Sequence, residues 1–204
     1  MNGRPPGRLA VDDRPGGAAY PPHGTGQRNM MTADTFPDVT SKDPVLVAAT
    51  LGTGLMAGLY LAFDVGVMPV LARREDERFV AAMRRVNDAL DDDAAFGALF
   101  LGVFMATGAA ARRLARAHRS DAARRARAAA VLYGLSVVVT ICVNLPLNRR
   151  LRTASGTSAA ALATARKAYE SPWRRANAVR TAACLGALTL LGDTARRWMA
   201  LRTQ

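Results

Sequence analysis

An asparagine pair, a Trp–Asn–Arg stripe and one aspartate are the groups in this chain able to do chemistry in an apolar setting. Trp173, Asn177 and Arg180 follow i, i+4, i+7 spacing, which puts them on one stripe of a helix. Asn144 and Asn148 are four apart and share a face if the helix persists past Pro146, which disturbs it locally. Asp64 is the one acidic residue inside an apolar stretch. Amides and a guanidinium supply hydrogen-bond donors, and a carboxylate supplies a counter-charge. By helical rise Asp64 lies about 12–14 Å from Arg73, and Arg180 lies at a similar depth beyond Trp173 from the same side. A buried Asp64–Arg180 pair is the expectation, because removing either partner would strand a charge. The alternative has Arg180 snorkelling to headgroups while Asp64 faces a water-filled pocket. With Asn87 added, these groups predict a polar pocket at one mouth of the helices, and the other mouth has no comparable set. Read singly, Trp173 is an interfacial anchor and Asn177 is interhelical glue.

Four apolar blocks must hold these side chains. The first runs 44–72, and its opening stretch 44–63 carries no charge, about 30 Å of helix, enough to cross a bilayer core. The others run 94–111, 128–148 and 176–192, the last with Arg180 in its first turns. They are apolar all round, whereas a soluble bundle shows polar residues every third or fourth position. The fold expected is therefore all-α: a four-transmembrane-helix bundle over 43–195. Gly54 and Gly58 form a small-xxx-small pair suited to close helix contact. Between the first two blocks, Phe79, Val80, Met83, Val86, Asn87 and Leu90 fall on one face of an amphipathic helix that lies on the surface or caps the bundle. Residues 155–170 also read as helical. Residues 1–42, rich in Gly, Pro, Asp and Arg, predict a disordered tail, and 196–204 a short C-terminal one.

Composition narrows the function classes. The 204 residues carry 28 Lys plus Arg against 16 Asp plus Glu, a net charge of +12. Those Arg residues cluster just outside apolar blocks, which is what insertion in a bilayer predicts, and no nucleic-acid-binding motif accompanies them. Two cysteines, Cys142 and Cys184, exclude a disulfide framework or a Cys-rich metal site, and both read as small apolar filler. His23 and His118 lie outside the blocks, which argues against a haem held by spanning histidines. No metal and no cofactor is expected. An even number of spans puts both termini on one side of the cell membrane. The connector 112–127 carries seven Arg against one Asp, and its density favours the cytoplasm for that connector and both termini. A homo-oligomer through small-residue faces is compatible with the pattern.

Val67-Met68-Pro69 after a glycine-rich span, then Phe79, Met83 and Asn87, then Asn144-Leu145-Pro146-Leu147-Asn148, then Trp173, Asn177 and Arg180 together resemble the DUF1772, or anthrone oxygenase-like, family of small four-span membrane proteins. The resemblance runs over about 44–191. The Pro-x-Asn and Trp-x-x-x-Asn-x-x-Arg elements are jointly specific. What it implies is oxidation of an anthrone to an anthraquinone by molecular oxygen as co-substrate. Loss of a proton from the acidic CH₂ leaves a stabilised anion that reduces oxygen without metal or flavin. In that scheme Arg180, Asn177, Asn148 and Asn144 are donors to the oxyanion, Trp173 stacks on the planar substrate, and Asp64 is the candidate base. Asn87, Asn144, Asn148 and Trp173 form the substrate-binding set, and Arg180, Asn177 and Asp64 the catalytic one. A non-catalytic role as a small transporter, accessory subunit or lipophile binder stays open beside it.

Overall fold

The structure is a computed structural model and describes residues 43–156 and 158–200. The expected tail at 1–42 lies outside the described residues, as do 201–204. The described chain is all-α, in five helices: α1 (Pro44–Ala72), α2 (Asp76–Asp91), α3 (Ala94–Arg116), α4 (Ser120–Thr153) and α5 (Ala159–Ala200).

Helix starts are set by side-chain caps. Asp43 accepts from the Val45 and Leu46 amides (3.0 and 3.4 Å), with Pro44 in the first turn. Asp93 does the same for Ala95 and Phe96 (2.7 and 3.2 Å). Two helices change pitch in mid-course. Phe63–Val67 in α1 and Thr140–Asn144 in α4 are π turns, in which Met68 N–H reaches the Phe63 carbonyl and Leu145 N–H reaches the Thr140 carbonyl. Pro69 and Pro146 stand two residues beyond these turns. A proline ring collides with the carbonyl four residues back, so a widened turn there keeps the helix continuous. The same two turns carry Asp64, Thr140 and Asn144.

The helix ends are closed by arginines from the capping layer. Arg84 of α2 donates to the Leu151 and Ala154 carbonyls at the end of α4, each at 2.9 Å. Arg166 of α5 donates to the Ala72 and Arg74 carbonyls at 2.8 Å, pairs with Asp76 and Glu170, and lies over the Phe79 ring at 4.5 Å. These bonds satisfy carbonyls that no further helical turn can reach. As expected from its face pattern, α2 buries Phe79, Val80, Met83 and Asn87 and caps this end of the molecule.

One boundary differs from the sequence reading. The helical stretch expected at 155–170 begins only at Ala159, and with the fourth apolar block it forms a single helix of 42 residues that has Pro172 inside it and runs on to Ala200. It is about 63 Å long, twice a bilayer core, so its first turns rise into the capping layer.

Helix α1 packs against α3 and α5, and α4 packs against the same two. The contact faces are small or hydroxylated: Ala49, Thr53, Ala57, Thr107, Ala110, Ala129, Ser136 and Ala187 are buried. Large apolar side chains point outward instead, with Leu51 70%, Val65 69% and Val131 72% exposed. Water would penalise such a surface, while lipid does not, and helices in lipid associate through small residues. Helices α1, α3 and α4 are long and apolar enough to cross a membrane. Helix α5, interrupted by Arg180, is not among those three.

The close approach falls at Gly52 and not at Gly54–Gly58. A Cβ on Gly52 would collide with the Val103 methyl groups, whereas one on Gly54 meets Leu188 at an ordinary 3.5 Å and one on Gly58 meets nothing within 4 Å. Val103 is stiff about χ1 in a helix and cannot turn away cheaply. Gly52→Ala is expected to destabilise by about 1–3 kcal/mol through overpacking. Gly58→Ala should be neutral or gain up to about 1 kcal/mol from helix propensity. Unfolding midpoints in one detergent compare the two, and equal shifts would contradict the packing argument.

Candidate functional site

The predicted polar pocket lies where the ends of α1, α2 and α4 meet the start of α3 and the middle of α5. It is a cavity of about 50 Å³, lined by Asn87, Asp91, Thr140, Asn144, Asn148 and Arg180 among Leu59, Phe63, Phe96, Phe100 and Trp173. That is room for about one or two water molecules.

Arg180 is buried, with 7% of its surface exposed. Its Nη2 donates to Asn177 Oδ1 at 2.6 Å and its Nη1 to Thr140 Oγ1 at 3.3 Å. The guanidinium lies over the Tyr60 ring at 4.2 Å and 5.7 Å from the Trp173 ring. Its Nε has no partner, and no carboxylate among the described residues is within 4 Å of it.

The expected Asp64–Arg180 ion pair is therefore corrected: Asn177 stands between the two. Asn177 Nδ2 donates to Asp64 Oδ1 (2.7 Å) and to the Tyr60 carbonyl (2.9 Å), while its Oδ1 accepts from Arg180. Thr181 Oγ1 completes the carboxylate at 2.6 Å. An amide has a donor end and an acceptor end, so it joins an anion to a cation without their touching. Asp64 is satisfied on the far side of this bridge and does not line the cavity. Nor does Arg180 snorkel, since it is enclosed.

A second network joins the capping layer to the cavity. Asn148 Oδ1 accepts from Tyr169 Oη and Trp173 Nε1, both at 3.1 Å, and its Nδ2 donates to both Asp91 oxygens at 2.9 and 3.2 Å. Asn87 Nδ2 donates to Tyr169 Oη at 3.4 Å. Trp173 is an interior group, 4% exposed, tilted against Phe63 and stacked with Tyr169, and not an interfacial anchor. Asn144 is different from all of these. It is 1% exposed, lines the cavity, and neither its Oδ1 nor its Nδ2 has a protein partner. Leaving an amide so costs free energy unless a ligand or solvent group supplies its bonds. Cys142 is exposed and Cys184 buried, and they are unpaired.

All seven residues expected to form the site thus gather at this end, with Asp64 behind the cavity wall. Sequence reasoning missed Asp91, Tyr169, Tyr60 and Thr140. Asp91 opens the acidic run Asp91–Asp93 that directly precedes the apolar block at 94–111. The signal for it was its position four residues after Asn87, on the buried face of α2. Burial raises the Asp91 carboxyl above its usual range, and the Asn148 hydrogen bond and the Arg152 charge (3.6 Å) offset this only in part. Burial likewise raises the Tyr169 phenol, which stays a neutral donor.

Fold and site together define an all-α protein of membrane-type apolar helices with a polar cavity beneath a capping helix. The family described as anthrone oxygenase matches residues 89–190, half of the chain, and the chain belongs to that family. The matched stretch includes Asp91, Asn144, Asn148, Trp173, Asn177 and Arg180, while Asp64 and Asn87 precede it. No curated protein and no solved structure matches the chain.

Proposed function

We propose that α5 crosses the bilayer with α1, α3 and α4 as a four-span bundle, that both termini face the cytoplasm, and that the cavity holds the oxygen-bearing edge of a lipophilic aromatic substrate. On this reading the protein oxidises an anthrone-type CH₂ to a carbonyl with dioxygen, releasing water, and uses no cofactor. The observation that carries it is that one cavity is lined both by Arg180, a buried cation with no carboxylate within 4 Å among the described residues, and by Asn144, an amide without a protein partner. Such donors favour an oxyanion that forms during reaction. Asn177 and Asn148 hold the two networks in register, and Trp173 and Phe63 offer aromatic faces to a planar ring. The cavity is too small for three fused rings, so the rings enter by displacing the apolar lining of Leu59, Phe63 and Leu90.

The test follows oxygen uptake and quinone absorbance on mixing the purified protein in detergent with an anthrone. The expected result is one oxygen consumed per quinone formed, well above the buffer rate. A rate equal to buffer overturns the oxygenase reading. The apolar part of the lining, Leu59, Phe63, Leu90, Phe96 and Phe100, suits the non-catalytic alternative as well, a lipophile binder, which would show saturable binding of a hydroxyanthraquinone with no oxygen uptake. For orientation, Ala117→Cys in a chain lacking the native cysteines should resist an impermeant thiol reagent on intact cells. Ready labelling would invert the topology.

A further inference from the structure

Resting on the oxidation reading above, we infer that Asp91 is the catalytic base: its carboxylate takes the proton from the substrate CH₂ at the cavity wall. Asp91 is the carboxylate that lines the cavity, and Arg180 and Asn144 line it too. Its side chain is 12% exposed, enough for exchange with water yet shielded from bulk solvent. Both of its oxygens accept from one amide, Asn148 Nδ2, and Asn148 is itself held by Tyr169 and Trp173. A carboxylate clamped in this way keeps its free lone pairs in a set direction, which is what a positioned base requires. Asp64 offers no such access, because Asn177 and Thr181 occupy its oxygens away from the cavity.

In the step, the substrate C–H bond breaks and an O–H bond forms on Asp91. The electron pair left on carbon spreads onto the carbonyl oxygen, which Arg180 and Asn144 receive. Dioxygen, the oxidant of the proposed reaction, then accepts electrons from that anion. The charged and titratable groups facing Asp91 are Asp92 next to it in the chain, Arg152 on α4, and Arg180 and Tyr169 on α5, with Tyr60 of α1 across the same cavity. Burial raises the Asp91 carboxyl above its usual range, which makes it a stronger base than a free carboxylate.

The experiment separates proton transfer from oxidation. Purified protein in detergent is mixed anaerobically with an anthrone in deuterated buffer, and deuterium entry at the CH₂ is followed by mass spectrometry. Wild type should accelerate exchange, with a rate that rises with pH along a one-proton limb and then levels. Asp91→Asn should lose about 10²-fold or more, together with the limb. Asp91→Glu should retain a limb at reduced rate, and Asp121→Asn, at the far end of α4, should match wild type. Wild-type exchange that is lost in Asp91→Asn supports the proposal even if no oxygen is consumed in air, in which case the oxidation reading alone fails. Exchange or oxidation at the wild-type rate in a folded Asp91→Asn protein overturns it. So does a wild type that accelerates neither.

Discussion

Arg180→Gln should lower the rate of anthrone oxidation by about 10²–10³-fold while leaving the protein folded, because the group removed stabilises charge that develops in the reaction. The fold tolerates this change for a reason visible in the hydrogen bonds. Arg180 has no carboxylate partner to strand, and a glutamine amide can still donate to Asn177 Oδ1. Arg180→Lys should not restore the rate. Its single ammonium cannot reach Thr140 and Asn177 while also facing the cavity, and it stacks poorly on the Tyr60 ring. A binding measurement gives an independent check. A hydroxyanthraquinone bound beside a buried cation should ionise at lower pH in wild type than in Arg180→Gln, since a positive charge favours the phenolate. The colour change of the bound dye reads this directly. Equal ionisation in both proteins, or a folded Arg180→Gln protein with the wild-type rate, would remove Arg180 from the site.

Asn177→Leu is expected to act on the fold more strongly than any other single change in the site. The side chains are close in volume, so the change removes hydrogen bonds and little packing. Asp64 loses its 2.7 Å donor and Arg180 its 2.6 Å acceptor, both in an interior where Asn177 is 0% exposed. At about 1.5–3 kcal/mol for each bond to a charged group, the loss is about 3–6 kcal/mol. That is a large share of the roughly 5–15 kcal/mol that keeps a domain folded. The bridge also predicts a rescue. Asn177→Asp alone sets two carboxylates against each other and should be damaging. Paired with Asp64→Asn, the donor and acceptor exchange places: Asn at position 64 donates, and Asp at position 177 accepts while facing Arg180. The double variant should be more stable than Asn177→Asp by more than independent effects allow. Additive losses across the cycle, read from unfolding midpoints in detergent, would mean that Asp64 and Asn177 do not act as a unit.

Much of the architecture was legible in the chain. The uncharged stretch 44–63 and the blocks at 94–111 and 128–148 are helices because apolar runs of that length satisfy their backbone groups internally. The face carrying Phe79, Val80, Met83 and Asn87 is buried as its spacing indicated. The i, i+4, i+7 stripe of Trp173, Asn177 and Arg180 does point inward. Periodicity carries this information because it is a property of one helix taken alone. The first half of α5 was less readable. A proline such as Pro172 breaks or kinks a helix interior, yet here the helix passes through it and joins the capping layer to the apolar block.

What the sequence determined by itself is the apolar helices of membrane-crossing length and the end of the molecule at which polar side chains collect, since hydropathy and spacing are local quantities. The tertiary structure alone decided which of those side chains touch. Two π turns rotate Asp64 and Asn144 by a fraction of a turn relative to an ideal helix, and that rotation gives Asp64 to Asn177 and leaves Asn144 facing the cavity. Asp91 reached the site because α2 packs across the end of α4, where Asn148 holds it. Hydrogen bonds reach about 3 Å, so a partner is chosen by how helices distant in sequence are set against one another, and no spacing along the chain encodes that distance.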